Sequence, residues 1–341
     1  MFLTFDTVEA FAVKRNPSLS FPFLKENGEL ISICVNAGFL IEPRALTLYD
    51  DFYKNAVKFT QCYPQYYRFT LGMVLDLEQG GYEGNEGQKL TEYVKQKKLI
   101  KYDTSDSRKL ETLTMLGERG PLSTENYNIY LDILDNVEGF IENPEWYMKF
   151  NKPLFYDLTH IIFFLTHYGT KKIPLQNDVY PCLIYMGLLA LLDNDADLLS
   201  EVCICLDYIG RETPKYWDDF LLASINDIKI SYAGTVASSL NRSVDEYHIY
   251  LVLNAYFAAR NKPIFEHKFK SRTPSFSLPS QTESILSKLS DYTHECNFSY
   301  KQKPKTLDFF ISTLDDNELS HWQKYMASHE LATVLTSKLF C

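Results

Sequence analysis

The stretch Tyr185–Leu192 reads YMGLLALL and contains no charged side chain. Two further stretches share this character, IIFFL at residues 161–165 and IYLVLNAYFA at residues 249–258. Each lies in a longer segment whose apolar residues recur every three or four positions, which is the period of an α-helix. A helix that is apolar on most faces must be covered on nearly all sides. The three stretches therefore predict buried helices at the centre of an all-α protein.

The same period continues through most of the chain, and strand-like alternation is rare. Breaking residues divide it into predicted helices at 4–15, 29–41, 44–61, 65–78, 86–100, 107–117, 123–142, 153–168, 177–193, 195–210, 214–231, 243–260, 280–294, 304–314 and 316–338. Because short connections make successive helices antiparallel, we expect antiparallel helical hairpins that form an α/α toroid or a barrel-like helical array. We expect a single helical domain over residues 1–341, less regular at 1–120 and with a helical core at 121–341.

Charge and cysteine content restrict the partners and the compartment. The formal net charge is −10 with a pI near 5.3, which disfavours binding to nucleic acid. The seven cysteines include no CxxC pair, so free thiols in a reducing cytosol are expected. The pattern at residues 1–6 does not predict a signal peptide, because Asp6 stands where a basic residue is expected, and no apolar stretch is long enough to span a bilayer. We therefore expect a cytoplasmic protein without a membrane partner, and a homo-oligomer is left open.

Two polar segments interrupt the helical pattern. The stretch Gln79–Gly87, QGGYEGNEG, has four glycines in nine residues, and it is either a plain surface loop or a lid. The proline-containing segment Asn261–Gln281 separates a central helical body from the C-terminal helices. Neither segment is long enough to indicate a domain boundary.

The pattern Asp-x-x-His occurs three times, at Asp157–His160, Asp245–His248 and Asp291–His294. Residues three apart share one face of a helix. A carboxylate and an imidazole on one face could bind a metal, or could act as an acid/base pair in which the aspartate fixes the imidazole tautomer. The pattern indicates His160, His248, Asp157 and Asp245 as candidate catalytic residues.

A structural interpretation of the same residues stays open. Asp157 and Asp245 lie near predicted helix starts, where a carboxylate is favoured for capping alone. His160 and His248 precede the most apolar helical stretches, where a buried imidazole needs either a hydrogen-bond partner or a ligand. If these helices form a toroid, we expect the two histidines to face each other across the cavity within roughly 12 Å.

A divalent metal is the cofactor that these residue types suggest, with His160, His248 and Asp207 as candidate ligands. Cys203 and Cys205 lie on the same predicted helix as Asp207 and could complete a zinc set with a histidine. Packing in the core is the favoured interpretation for both cysteines, because a free cysteine behaves as a small apolar residue.

These observations predict an enzyme that acts on a small, partly apolar molecule in a cavity lined by the abundant tyrosines and phenylalanines. A cyclase, lyase or hydrolase would suit a histidine and aspartate site. The alternative is a non-catalytic helical scaffold that binds a protein partner. The HExxH, Walker A, GxSxG and dinucleotide-binding motifs do not occur in the sequence.

The central portion resembles the α/α toroids of terpene cyclases, protein prenyltransferases and lanthipeptide cyclases in architecture, although it has no DxDD, DDxxD or QW motif. This resemblance implies a role in biosynthesis, including that of secondary metabolites. A second resemblance rests on Tyr156–Phe163, Thr166–Gly169, Asp197–Glu201 and Leu206–Gly210. Over about 60 residues these segments are similar to a pattern in uncharacterised helical proteins of bacteria, and they imply no established reaction.

Overall fold

A computed structural model of the chain describes residues 2–143, 151–233, 246–258, 260, 265, 269, 272–278, 284–298 and 307–325. Helices dominate these ranges, and their strands form only two short pairs. The all-α prediction is confirmed. Within the described ranges, every helix is too short or too polar to cross a bilayer.

The helices, in chain order, are α1 (Phe5–Glu9), α2 (Phe21–Asn36), α3 (Pro43–Leu46), α4 (Asp50–Cys62), α5 (Tyr67–Gln79), α6 (Glu86–Lys97), α7 (Asp106–Glu118), α8 (Thr124–Glu142), α9 (Lys152–Leu165), α10 (Tyr180–Leu192), α11 (Ala196–Tyr208), α12 (Lys215–Asp227), α13 (Tyr247–Ala258), α14 (Ile285–Phe298), α15 (Leu307–Ile311) and α16 (Asp316–Tyr325). A π-helical turn, Ala10–Arg15, continues α1. The strands are β1 (Phe2–Leu3), β2 (Leu40–Ile41), β3 (Lys229–Ala233) and β4 (Thr273–Ser277).

Six helices form a closed ring, which we call the helix ring. Its members are, in order around the ring, α2, α5, α7, α9, α11 and α13; each packs against the next, and α13 packs against α2. A cavity of about 720 Å³ lies inside, lined by residues of these helices and their ends. Three of the helices come from residues 1–120 and three from residues 121–341, so both parts of the chain build the walls of one cavity.

Other helices pack around the outside of the helix ring. Helices α4 and α6 contact α5, α8 contacts α7, α10 contacts α11, and α12 contacts α11 and α13. The most apolar of the predicted core segments, α10, therefore covers the ring and does not line the cavity. Gly187 permits this packing, because a Cβ at that position would lie 2.2 Å from Cη2 of the fully buried Trp217 on α12.

Helix α2 begins eight residues before the predicted start at residue 29. The side chain of Ser20 accepts a hydrogen bond from the Phe23 N–H at 3.3 Å, and Pro22 lies in the first turn. Both features favour a helix start. Helix α2 ends at Asn36, and the backbone of Gly38 follows with φ +79, a conformation that closes helices and favours glycine.

The helix predicted at 214–231 ends at Asp227, and its last residues belong to strand β3. Strand β3 pairs antiparallel with β4, which lies in the polar segment 261–281, so that Ile230 is opposite Phe276. Residues 229–232 alternate between exposed and half-buried positions, which is the period of a strand. Strands β1 and β2 form a separate parallel pair.

The glycine-rich stretch Gln79–Gly87 is held in place by Tyr53 and Glu78. The Tyr53 hydroxyl donates to Glu78 Oε1 at 2.5 Å and accepts from the Glu86 N–H at 3.1 Å. The Gly87 N–H donates to the same Glu78 oxygen at 2.8 Å, and Gly84 lies so close to Tyr53 that a Cβ would overlap the ring. These contacts fix residues 84–87 against α4 and the end of α5.

Candidate functional site

His160 on α9 and His248 on α13 both line the cavity. The Nε2 atom of His160 lies 3.5 Å from Glu201 Oε1, and the Nε2 atom of His248 lies 3.9 Å from the same oxygen. The separation of the two imidazole rings is therefore well below the roughly 12 Å within which two groups can share a ligand. The structure brings together the two histidines that the sequence indicates, and it does so around a glutamate on α11.

The Glu201 carboxylate is the centre of this arrangement. Its side chain is 3% exposed, and the Thr159 hydroxyl donates a hydrogen bond to Oε2 at 2.6 Å. Burial alone would raise the pKa of Glu201, but the positive charges of His160 and His248 lower it to about 2. The carboxylate is therefore ionised and shared between two imidazole rings.

Each ring nitrogen of His248 lies close to a carboxylate. Nδ1 lies 3.1 Å from Glu29 Oε2 on α2, and Nε2 lies 3.5 Å from Asp197 Oδ1 on α11. Burial lowers the pKa of His248, but the charges of Glu29, Glu201 and Asp197 together raise it well above its ordinary value. The ring is held by three acidic side chains from two helices.

Asp197 lies one helical turn before Glu201 on α11, so that both side chains project from one face of the helix. The Tyr156 hydroxyl donates to Asp197 Oδ2 at 2.9 Å. The other oxygen, Oδ1, is buried and accepts no hydrogen bond from the described residues. Burial raises the pKa of the Asp197 carboxyl to about 6, although the charge of His248 acts in the opposite direction.

His160 is the more accessible of the two histidines, with 44% of its side chain exposed. Its ring lies 5.9 Å from the ring of Phe163 and 6.4 Å from that of Phe164, centre to centre. Burial lowers the pKa of His160, but the Glu201 carboxylate raises it by more, so it ends above its ordinary value. The Glu201 carboxylate thus stabilises the protonated form of the His160 imidazole, which faces the cavity.

Asp157 lines the cavity but does not pair with His160 as the Asp-x-x-His pattern predicted. Its Oδ1 accepts a hydrogen bond from the Ser107 hydroxyl at 2.5 Å. It also does not cap α9, because the side chain of Asn151 accepts the hydrogen bond from the Leu154 N–H. The corresponding Asp245 lies outside the described residues.

The structure does not bring Asp207 to the histidines, which corrects the predicted metal set of His160, His248 and Asp207. Asp207 lies six residues beyond Glu201 on α11, and its carboxylate is engaged by the Arg260 guanidinium. Nη1 of Arg260 is 2.5 Å from Oδ2, and Nη2 is 3.0 Å from Oδ1. A bidentate ion pair of this kind engages both carboxylate oxygens.

Cys203 and Cys205 are buried in α11, and burial raises the pKa of both thiols. The Cys205 thiol donates to the Thr159 carbonyl at 3.6 Å. Neutral buried thiols are poor metal ligands, so both residues act as core residues. In the third Asp-x-x-His pair, Asp291 and His294 are exposed on α14 and do not line the cavity.

The opposite wall of the cavity carries Asp76 on α5. Burial raises the pKa of Asp76 to about 8, and the charge of Glu118 acts in the same direction. Arg68 and Glu111 form an ion pair nearby. The aromatic residues that line the cavity are Phe69, Tyr156, Phe163, Phe164, Tyr168 and Tyr208. The cavity therefore combines aromatic and apolar side chains with ionisable groups on several of its helices.

The site residues that sequence reasoning did not propose are Glu29, Tyr156, Asp197 and Glu201. Asp197 lies four positions before Glu201 in a largely apolar helix, and this spacing was the signal that the sequence offered. Two carboxylates buried on one helix face each need a partner. The position of Glu29 depends on the packing of α2 against α13, which no local pattern indicates.

Residues 4–329 match the family model described as Domain of unknown function (DUF6902). No curated protein and no solved structure matches the chain.

Proposed function

We propose that this chain, which belongs to the family described as Domain of unknown function (DUF6902), is an enzyme that converts a small, partly apolar molecule inside the helix ring. The observation that carries the proposal is the convergence of His160 and His248 on Glu201 in the cavity of the helix ring. Ionisable groups with shifted pKa values that meet in a cavity are typical of active sites.

His160 is the proposed acid/base residue. Its imidazole lines the cavity, and the buried Glu201 carboxylate stabilises its protonated form. It can therefore donate a proton to a leaving group or to a double bond, and can recover that proton in a later step. Glu201 holds the charge and the orientation of the ring. A cyclisation, an elimination or a hydrolysis can start with such a transfer.

The aromatic walls support an apolar substrate. Phe163 and Phe164 lie beside the His160 ring, and Tyr168 and Tyr208 line the same cavity. These side chains would hold an apolar body and exclude water from the group that reacts. The cavity volume of about 720 Å³ is within the range of small-molecule sites.

The alternative of a non-catalytic scaffold requires an apolar groove without convergent ionisable groups. The histidine and carboxylate cluster in the helix ring supports an enzyme instead. The closed order of the helix ring also supports the predicted α/α toroid. The cytoplasmic location, the homo-oligomer and a role in biosynthesis stay predictions.

A search for depleted compounds tests the proposal. Purified protein is incubated with a small-molecule extract, and mass spectrometry identifies compounds that are consumed and formed. We expect His160→Gln to lower the rate of conversion by about 100-fold or more, because the proton donor is lost. The matched control is His294→Gln, which removes an exposed histidine on α14 and should leave the rate unchanged. Equal rates for wild type and His160→Gln, or no compound consumed, would contradict the proposal.

A further inference from the structure

We propose that Asp197, Glu201 and His248 bind one divalent first-row transition metal ion of the Zn²⁺ or Mn²⁺ type, through one carboxylate oxygen from each acid and Nε2 of the histidine. This inference rests on the proposed function only in its location, because the ion would lie in the same cavity. Imidazole and carboxylate are ligands that such ions accept, whereas Ca²⁺ and Mg²⁺ prefer oxygen alone.

The distances between the ligand atoms fit one ion. The three atoms lie within 4.8 Å of one another. The Nε2 atom of His248 is 3.5 Å from Asp197 Oδ1 and 3.9 Å from Glu201 Oε1. Two ligands that are each about 2.0–2.2 Å from a tetrahedral metal ion are roughly 3.3–3.6 Å apart. Small side-chain rotations therefore suffice to enclose an ion.

The hydrogen bonding of Asp197 is a further observation that favours an ion at this place. Asp197 Oδ1 is buried and accepts no hydrogen bond from the described residues. Its sister oxygen accepts from the Tyr156 hydroxyl at 2.9 Å. Oδ1 therefore has the 3.5 Å ion-pair contact with His248 Nε2 but no hydrogen bond, and a cation between Asp197, Glu201 and His248 would give it a direct bond.

Each of the three ligands is oriented by a neighbour that leaves the ligand atom available. The Tyr156 hydroxyl holds Asp197, and the Thr159 hydroxyl holds Glu201 through Oε2 at 2.6 Å. Glu29 lies 3.1 Å from Nδ1 of His248, so the carboxylate can fix the tautomer that leaves the Nε2 lone pair for a metal. Partners of this kind accompany most metal-bound histidines in proteins.

Charge also favours a cation at this position. The two ligand carboxylates and Glu29 together carry up to three negative charges beside His248. A dication offsets most of that charge when His248 is neutral, and the proton on Nε2 is released to solvent as the ion binds. His160, which also approaches Glu201 Oε1, would then lie beside the ion and face the cavity.

Direct metal binding tests the inference. The purified full-length protein is stripped with chelator and dialysed against Zn²⁺ or Mn²⁺, and the bound metal is measured by mass spectrometry. Titration calorimetry then gives the affinity. We expect one ion per chain, and a loss of about 100-fold or more in affinity for Asp197→Asn and for His248→Gln, because each removes a ligand. Circular dichroism establishes that each variant is folded.

The matched control is Asp157→Asn, which changes a carboxylate of the same cavity that is bonded to Ser107 outside the cluster. It should bind metal as the wild type does. Asp197→Asn preserves the shape of its side chain, so it keeps the test decisive if His248→Gln does not fold. No bound ion in wild-type protein with either metal, or equal affinity in wild type and Asp197→Asn, would overturn the inference.

The outcome is separable from the outcome for the proposed function, because metal binding is measured without a substrate. A protein that binds one ion but consumes no compound keeps the metal site and loses the proposed function. A stripped protein that binds no ion and still consumes its compound keeps the function and loses the metal site.

Discussion

Glu29 and His248 lie 219 positions apart in the chain, and Nδ1 of His248 is 3.1 Å from Oε2 of Glu29. The contact joins α2 to α13, the two helices whose packing closes the helix ring. It therefore links the first and last members of the ring at the candidate site. An imidazole held in this way has one fixed nitrogen and one nitrogen available for Asp197 and Glu201.

Replacing Glu29 with glutamine should lower the pKa of His248. The Glu29 carboxylate is the largest of the charges that raise this pKa, and glutamine has no charge to stabilise the imidazolium. NMR detection of the imidazole resonances during a pH titration measures the change. Glu212→Gln, at an exposed position, is the control and should leave the His248 titration unchanged. The same curve for Glu29→Gln and wild type would contradict the assigned cause.

Replacing Asp76 with asparagine should stabilise the folded protein at alkaline pH, by an amount on the order of a few kcal/mol. The pKa of Asp76 is raised to about 8 in the folded protein, whereas an aspartate in the unfolded chain has a pKa of about 3.9. The folded state therefore retains a proton that the unfolded chain loses, and wild-type stability falls as the pH rises between these two values. Asparagine does not ionise, so the advantage of Asp76→Asn should grow with pH up to about 8 and then stay constant.

Urea unfolding of wild type and Asp76→Asn at several pH values measures this difference in the free energy of unfolding. Ser32→Ala is a second variant for the same series. The Ser32 hydroxyl lowers the pKa of Asp76 by hydrogen bonding, so its removal should extend the fall in stability to higher pH. A constant difference between wild type and Asp76→Asn across the range would show that Asp76 is not the responsible group.

The histidines and the helical fold could be predicted from sequence, because both depend on local patterns. His160 and His248 stand at the starts of apolar segments where an imidazole needs a partner, and the structure places both in the cavity. The identity of the partner could not be predicted. Asp157, three residues before His160, is bonded to Ser107, whereas Glu201 reaches His160 from another helix. Such contacts depend on how helices pack, and the period of a sequence does not contain that information.

The start of α2 and strand β3 could not be placed correctly for a different reason. The start of α2 depends on the Ser20 side chain and on Pro22, which override a weak apolar period. Strand β3 has only five residues, and its pairing with β4 requires a segment more than 40 positions later in the chain. Short strands are stabilised by such distant partners more than by their own sequence.

Replacing Glu201 with glutamine should lower the free energy of unfolding by about 3 kcal/mol near pH 5.5, because two imidazolium groups lose the buried counterion that they share. The pKa of Glu201 is lowered in the folded protein. The stabilisation that the Glu201 carboxylate provides is therefore complete above about pH 4.3 and is lost as the pH falls toward 2. The pKa values of His160 and His248 are raised in the folded protein. The stabilisation that the two protonated rings provide is therefore complete below about pH 6.5 and is lost as the pH rises past the raised pKa values.

The effect of Glu201→Gln should therefore be largest between these limits and should shrink as the pH rises past the raised pKa values of the two rings. Urea unfolding at pH 5.5 and at a series of higher pH values checks both parts. The control Glu212→Gln removes an exposed carboxylate, which should change the free energy of unfolding by about 0.5 kcal/mol or less. An effect of Glu201→Gln that stays constant across the whole pH series would mean that the carboxylate does not act through the histidines.

Replacing Gly187 with alanine should destabilise the fold by about 1–3 kcal/mol, because the new methyl group has no room. A Cβ at position 187 would lie 2.2 Å from Cη2 of Trp217, and the indole is fully buried and cannot move into solvent.

Gly139, within α8, is a matched control because no atom lies within 4 Å of the position that its Cβ would occupy. Gly139→Ala should stabilise the protein by about 0.5–1 kcal/mol through its better helix propensity. Thermal or urea unfolding of both variants measures the two effects, and their opposite signs separate the packing of α10 against α12 from any general response to alanine. If Gly187→Ala were also stabilising, the close contact between α10 and Trp217 would be incorrect.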